Sequence, residues 1–294
     1  VINQQKSADR TQSPRKPAWL KRSIPRAGRK SGVVQLLRDG RLHTVCEEAG
    51  CPNRGECFAR GTATFLIMGD RCTRDCRFCT VTHGAPESPD PREPARIAHT
   101  VRQLQLKHAV ITSVTRDDMP DGGAGHFAAV IHALRETAPN VTTEVLVPDF
   151  RGDTDAVDRV LASNPDVFNH NIETVPRLYG RVRPQADYHT SLRVLAYAAD
   201  KGRRVKSGLM VGLGETRAEV ESTLRDLHEA GCAIVTIGQY LRPSARQVAV
   251  AAYIDPQTFE HYKRCGADLG IKQVVAGPFV RSSYRADEVL SGEG

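Results

Sequence analysis

The sequence predicts an α/β fold: a curled, incomplete (β/α)6 TIM-like barrel with an N-terminal extension and a short C-terminal tail. Three observations lead there. Six short β-rich runs recur along the 294 residues, helical patterns separate them, and six of the eight cysteines crowd between residues 46 and 79, on either side of the first run. Strands that alternate with helices imply a parallel sheet, because parallel neighbours need long crossovers and helices supply them. A barrel carries its chemistry on the loops that follow its strands, and the second cysteine group follows the first strand as that rule requires. Strand counting by itself does not separate a barrel from an open doubly wound sheet.

In chain order, residues 1–60 make a basic arm and the extension, 61–275 the barrel and 276–294 the tail. The first 15 residues, VINQQKSADRTQSPR, are polar and read as disordered. The predicted strands are ATFLIM (63–68), HAVITSV (108–114), VTTEVLV (141–147), PDVFNH (165–170), RVKSGLM (204–210) and AIVTIGQY (233–240). Between them, Thr216-x-x-Glu219 is a capping box that opens a helix with Val220, Leu224 and Leu227 on one face, and Gly231 stops it. Asp255-Pro256 opens another as an N-cap with proline in the first turn.

A hydrophobic content of 40% is enough for a core. The formal charge of +7 collects partly in the first 30 residues, a solvated basic arm. With little aromatic interleaving and no RNA-binding signature, nucleic acid is not an expected partner; a basic surface suits acidic protein partners. No run of about 18 apolar residues occurs, so no membrane partner is expected either.

The cysteines fall in two unlike groups, Cys46-x4-Cys51-x5-Cys57 and Cys72-x3-Cys76-x2-Cys79. The second puts three thiols on one short loop, with Phe78 just before the last. A 4Fe-4S cube offers four irons to cysteine thiolates, so a loop with three leaves one iron open for a small molecule. Structural zinc takes four ligands, typically as two pairs, and no second pair follows this loop. Concentration in one stretch of a long chain with no apolar signal segment also disfavours a disulfide framework.

The Cys72–Cys79 loop resembles the signature of the radical S-adenosylmethionine (SAM) enzymes, whose open iron chelates the amino and carboxylate groups of the cofactor. The resemblance narrows to the lipoyl synthases on three motifs: CEEAGCPNRGEC (46–57), CTRDCRFC (72–79) and RSSY (281–284). The stretches VITSVTRDDMPDGGAGHF, TEVLVPDFRGD, FNHNIETVPRLY, KSGLMVGLGE and GQYLRPS are similar to the same family, so the likeness spans residues 15–288. It implies a barrel of the radical SAM type and two 4Fe-4S clusters. One is held by Cys72, Cys76 and Cys79, the other by Cys46, Cys51, Cys57 and a tail serine, Ser283 with Ser282 as the alternative. A hard serine oxygen is a less usual partner for cluster iron than thiolate, which suits an iron that must leave.

The implied reaction inserts sulfur at C6 and C8 of an octanoyl chain amide-linked to a lysine of a lipoyl carrier protein. A 5'-deoxyadenosyl radical removes the hydrogens, two SAM molecules are used per lipoyl group, and the second cluster is dismantled as the sulfur donor. Implied partners are octanoylated carriers (the glycine cleavage H protein and the lipoyl domains of 2-oxoacid dehydrogenases), a flavodoxin or ferredoxin as electron donor, and an iron-sulfur carrier that rebuilds the spent cluster. The implied compartment is reducing, with the cytoplasm the default. Two rivals remain: a radical SAM sulfur-inserting enzyme acting on biotin precursors or RNA, and a non-enzymatic zinc or nucleic-acid-binding module. The family pattern is departed from at Gly50 and Arg54, with no ligand lost.

For the cofactor, the Gly208-x-Met210-x-Gly212-x-x-Glu215 segment resembles the family element that packs near the adenine, or is a plain strand-to-helix turn. Ser113 and Glu173 are candidates for the methionyl group and the ribose, or exposed loop residues. Phe78 flanks the adenine through its backbone, or packs the loop. Cys232 and Cys265 read as small core hydrophobes. His83, His108, His170 and His189 lack paired ligand spacing, although His170 ends a strand within reach of substrate. Arg181 and Arg183 hold a carboxylate or are solvated, and Asp117 with Asp118 reads as a polar turn before an acid-base pair.

Overall fold

The computed structural model of the protein describes residues 13–20, 30–48, 53, 56, 64–283 and 286, so most of the predicted arm lies outside the described residues. Helix α1 (Lys30–Asp39), strand β1 (His43–Thr44) and the single turn α2 (Val45–Glu48) come first. They lead into β2 (Thr64–Ile67), which is buried throughout. A parallel two-stranded ribbon, β3 (Arg71–Cys72) and β4 (Thr82–His83), brackets the second cysteine loop. Then come α3 (Glu93–Gln103), β5 (His108–Ser113), α4 (Ala124–Thr137), β6 (Thr142–Leu146), α5 (Thr154–Ala162) and β7 (Val167–Asn169). The chain continues through α6 (Tyr179–Val182), α7 (Tyr188–Asp200), β8 (Val205–Val211), α8 (Arg217–Glu229), β9 (Ile234–Gln239), α9 (Pro256–Asp268) and β10 (Gln273–Gly277).

The main sheet runs β1-β2-β5-β6-β7-β8-β9-β10. Every neighbouring pair is parallel except β1 with β2, so helical crossovers build an arc of α/β units. Among the described residues β10 pairs with β9 alone, which leaves the barrel open. Each of the six predicted runs holds a strand, and β10 adds a seventh that the sequence reading did not include. Its five residues leave only Ala276 buried, and so edge-like a segment carries little of the apolar signal that marks a core strand.

Local chemistry explains the helix boundaries. Thr216 Oγ1 accepts from Glu219 N at 3.3 Å while the Glu219 carboxylate accepts from Thr216 N at 2.7 Å, the reciprocal pair of a capping box. Val220, Leu224 and Leu227 of α8 are fully buried, and Gly231, at φ 76°, ends the turn that follows. Asp255 caps α9 through Gln257 N at 2.8 Å. No described helix is long and apolar enough to cross a membrane.

The barrel interior is not wholly apolar. Lys206 on β8 places Nζ 3.0 and 2.9 Å from the two oxygens of Glu144 on β6, and neither side chain is more than 1% exposed. Asn169, on the intervening strand, donates to Glu144 Oε1 at 2.8 Å. His108 Nε2 stands 3.6 Å from Glu144, an ion-pair distance and not a hydrogen bond. Burial alone would raise the Glu144 pKa, but the Lys206 charge and His108 outweigh it and hold the carboxyl below its ordinary range.

Removing one member of a buried pair strands the other charge. Lys206→Met is expected to lower the unfolding free energy by about 3 to 5 kcal/mol at neutral pH, measured by denaturant titration. Because the Glu144 pKa is depressed only in the folded state, the pair contributes fully above ~pH 4.3 and loses its contribution as pH falls toward the folded value. The acid limb of the stability profile should therefore flatten in the variant; an unchanged limb would show that other carboxylates dominate acid unfolding.

A cysteine-lined candidate active site

The carboxyl ends of the strands open on a cavity of about 550 Å³, walled by the loop after β2, by the ends of β5 to β9 and by the C-terminal tail. Cys72, Cys76 and Cys79 all line it, half-buried. The loop that carries them has little regular structure and is held by hydrogen bonds to its neighbours. Arg77 N donates to Val182 O at 2.9 Å, Val248 N to Arg77 O at 2.9 Å, and Thr73 N to Thr115 O at 3.1 Å. Gln247 Nε2 donates to Cys79 O at 2.9 Å.

Backbone donors also reach the sulfurs: Thr115 N lies 3.2 Å and Arg74 N 3.4 Å from Cys72 Sγ, and Val81 N lies 3.4 Å from Cys79 Sγ. Burial pushes the Cys76 thiol up and Cys79 to about 12, so these groups are protonated until a cation displaces the proton. Among the described residues no three His, Cys, Asp or Glu side chains converge where one metal ion could sit. The three thiols nevertheless share a wall, and a cube asks each thiolate for a different iron, which is the fit this loop offers.

Arg74, between the first two cysteines, carries the loop's main anchor. Its guanidinium makes two fork-like contacts, to Asp117 at 2.7 and 3.0 Å and to Asp149 at 2.7 and 2.7 Å. Asp117 follows β5 and Asp149 follows β6, so one side chain ties the cysteine loop to the ends of two strands. Burial alone would raise the Asp149 pKa, but the Arg74 guanidinium brings it to about 2. Asp118 is exposed and pairs with Arg116 at 2.8 Å, while Arg151 reaches Asp117 at 3.3 Å, so three arginines share the Asp117–Asp118 turn.

Three buried polar atoms on the cavity wall have no hydrogen-bond partner among the described residues: Ser113 Oγ, His170 Nε2 and Arg183 Nε. His170 Nδ1 lies 2.8 Å from Val147 O, and a carbonyl only accepts, so Nδ1 carries the hydrogen. Desolvation, helped by Arg183, lowers the His170 pKa to about 4 and leaves Nε2 a bare acceptor. Arg183 is buried, donates to Asn171 O at 3.0 Å and forms no carboxylate ion pair among the described residues, while Arg181 is exposed. Glu173 adds the one carboxylate of the wall; its φ is 67°, and burial raises its pKa. A hydroxyl, an acceptor, a guanidinium and a carboxylate in a cavity that mixes apolar and polar walls suit a zwitterionic nucleoside such as SAM.

A second wall brings Val45, next to the first cysteine group in sequence, together with the tail. Cys51 and Cys57 lie outside the described residues, and Cys46 lies in α2 with its side chain outside them. Val45, beside Cys46, lines the cavity. Asn53, between Cys51 and Cys57, is 1% exposed and donates to Phe279 O at 2.8 Å, which joins that segment to the tail. Val280 packs its carbonyl against Gly238 of β9 so closely that a Cβ at Gly238 would collide with it. Ser282 and Ser283 both face the cavity. Ser282 Oγ is engaged, accepting from Asn169 Nδ2 at 2.8 Å and donating to Asn171 Oδ1 at 2.9 Å, whereas the Ser283 hydroxyl has no protein partner among the described residues.

Phe78, Ser113, Glu173 and Met210 thus line one cavity. Gly212 does not. At φ 100° it packs against Gln239 and the Ala252 carbonyl, and Glu215 caps its turn through Leu213 N at 2.9 Å, so its glycine character serves the strand-to-helix turn. The solvated reading of Arg183 is also corrected, because desolvated guanidinium lines the cavity. Cys232 is buried with its thiol pushed up to about 12, as a core residue. Arg74 and Gly238 were missed: an arginine in a polar loop gives no sign of burial, while a glycine inside a strand pattern does signal close backbone approach.

The sequence matches the Radical SAM superfamily over residues 66–227 and the N-terminal domain of lipoyl synthase over residues 2–51. It is 54% identical over 275 residues to the lipoyl synthase of Chlorobium chlorochromatii, covering 93% of this chain and 94% of that one. It is 53% identical over 279 residues to the lipoyl synthase of Caldanaerobacter subterraneus subsp. tengcongensis, covering 94% and 98%. Among solved structures, methylornithine synthase aligns with a TM-score of 0.52 at 12% identity, covering 87% of this chain and 81% of that one. Streptococcus suis SuiB bound to SAM aligns at 0.57 and 10% identity, covering 77% and 54%, a likeness of fold alone.

The tail contact yields a separable defect. Gly238→Ala should push Val280 off β9 and lower product formation at least tenfold, while the rate of SAM cleavage at saturating SAM stays within about twofold, both read by chromatography. Equal loss of both activities would mean that the tail is not a separate part of the site.

Proposed function

The chain belongs to the lipoyl synthase family of radical SAM enzymes, and from that premise we propose that Cys72, Cys76 and Cys79 hold the SAM-binding 4Fe-4S cluster while Cys46, Cys51, Cys57 and Ser283 hold a second. Its activity is lipoyl synthesis, with SAM and 4Fe-4S clusters as cofactors. The observation that carries the assignment is that the tail hydroxyl of Ser283 opens into the same cavity as the Cys72 loop, beside the segment joined through Asn53.

When bound, the first cluster supplies the electron that splits SAM into methionine and a carbon radical able to take hydrogen from unactivated carbon, and the second supplies sulfur. The remaining work falls to side chains. Thr115 N, Arg74 N and Val81 N stabilise thiolate charge at Cys72 and Cys79. Arg183 Nε, buried with no hydrogen-bond partner among the described residues, would take the cofactor's carboxylate. Of the residues lining the cavity, Ser113 would face the methionyl group, Glu173 would accept from the ribose hydroxyls, and Met210 and Phe78 would flank the adenine. His170 is held as a neutral acceptor and gives up no proton near neutrality. Apolar walls at Leu66, Val114 and Leu209 keep water from the alkyl chain.

The substrate in this reading is an octanoyl chain on a carrier lysine, modified at C6 and C8. Carriers of the glycine cleavage and 2-oxoacid dehydrogenase systems present it, a flavodoxin or ferredoxin donates electrons, an iron-sulfur carrier rebuilds the second cluster, and the cytoplasm houses the reaction. Residues 1–60 and 276–294 furnish the second cluster site and 61–275 the first.

Mass spectrometry of an octanoyl-lysyl peptide after anaerobic incubation with reconstituted protein, SAM and reductant should reveal two added sulfurs. The wild type should hold about eight irons, two cubes of four. Alanine at Cys72, Cys76 or Cys79 should abolish SAM cleavage, whereas alanine at Cys46, Cys51, Cys57 or Ser283 should leave cleavage and about four irons but no sulfur insertion. Loss of cleavage in both sets would defeat the division of labour.

A further inference from the structure

Ser282 sits beside the proposed cluster ligand, yet its hydroxyl is spent on two asparagines. The hydrogen-bond directions in that contact are forced. Glu144 is ionised in the folded protein and only accepts, so Asn169 must turn its amide nitrogen toward Glu144 Oε1, at 2.8 Å. The same nitrogen's second hydrogen goes to Ser282 Oγ at 2.8 Å. Asn169 Oδ1 is left buried without a partner, which is what an amide accepts when a carboxylate dictates its orientation. Ser282 has one proton, and it goes to Asn171 Oδ1 at 2.9 Å. With its carbonyl oxygen taken, Asn171 presents its amide nitrogen to Glu173 Oε1 at 3.2 Å.

We propose that Ser282 is a positioning residue for cofactor binding: acting through Asn171, it orients the Glu173 carboxylate in the cavity and thereby makes the SAM subsite depend on a docked C-terminal tail. The inference rests on the reading above, in which Glu173 meets the ribose and Ser283 is the cluster ligand. Donors point one way along the whole chain, from Lys206 through Glu144, Asn169, Ser282 and Asn171 to Glu173, except that Glu144 receives from both sides. Gly208 sharpens the requirement. A Cβ there would stand 2.9 Å from Asn171 Oδ1, so the amide lies close against bare backbone and only a glycine leaves it this place. Without the Ser282 proton, Asn171 is free to flip its amide, and an oxygen facing Glu173 would repel the carboxylate.

The test uses reconstituted holoenzyme and SAM itself, with affinity measured by anaerobic equilibrium dialysis and iron counted alongside. Ser282→Ala should retain the iron content of the wild type and weaken SAM binding roughly tenfold, the loss expected for one hydrogen bond to a charged group. Ser282→Thr, which keeps the hydroxyl, should restore affinity to within about twofold. In a Glu173→Gln background, Ser282→Ala should have no further effect on SAM affinity, because the two act in series. Unchanged affinity in Ser282→Ala, or additive losses in the double variant, would overturn the positioning role while leaving the cluster assignment intact. Loss of half the iron in Ser282→Ala would instead make Ser282 the cluster ligand and overturn both readings.

Discussion

The Arg74 guanidinium, forked between Asp117 and Asp149, is the constraint on which the cavity depends. A loop that must present three thiols cannot spend its backbone on a helix or a strand, so its shape has to come from contacts to the scaffold. Four bonds from one planar group fix both the position and the rotation of that loop relative to the ends of β5 and β6. An arginine between two carboxylates in a desolvated setting adds little net stability, since the cost of removing charges from water consumes most of the attraction. What it contributes is a single geometry. Lysine would supply a point charge without the fork and would leave the loop free to rotate.

Polar groups elsewhere in the barrel divide into two populations with opposite consequences. Those around Glu144 and Lys206 bond mainly to one another and specify how β6, β7 and β8 pack. Those on the cavity wall, Ser113 Oγ, His170 Nε2 and Arg183 Nε, have no hydrogen-bond partner among the described residues, and each such atom costs about 1 to 3 kcal/mol while it stays unpaired. Groups of that kind persist in a fold when a ligand completes them. Their types, together with Glu173, match the polar inventory of an amino acid joined to a nucleoside, and the apolar remainder of the wall suits an alkyl chain.

Much of this site was legible in the sequence because its chemistry is local. The three thiols of the Cys72 loop lie within eight residues, and the strands that frame the cavity carry the apolar runs of a parallel sheet. What escaped was non-local or conformational. Arg183 looks solvated until α6 folds it over the Asn171 and Ile172 carbonyls. Gly212 sits in a motif suggestive of ligand approach, yet the approach is made by Gln239 and Ala252 of its own chain. The seventh parallel strand has Ala276 as its one buried residue and so gives periodicity little to find.

The tail gains its position from three separate sources, and that has a consequence for assembly. Asn53 from the N-terminal side holds Phe279, Gly238 of β9 admits Val280, and Asn169 with Asn171 hold Ser282. None of these contacts joins neighbours in sequence; Asn53 and Phe279 are 226 residues apart. Contacts of such separation carry a large loop-closure cost and form only once the sheet between them exists. The cysteine loop of the first site, by contrast, is anchored within the barrel by Arg74 and needs neither end of the chain. The second site proposed above is therefore completed last and opened first, while the thiols of the Cys72 loop keep their Arg74 anchor and only the Glu173 side of the cavity follows the tail.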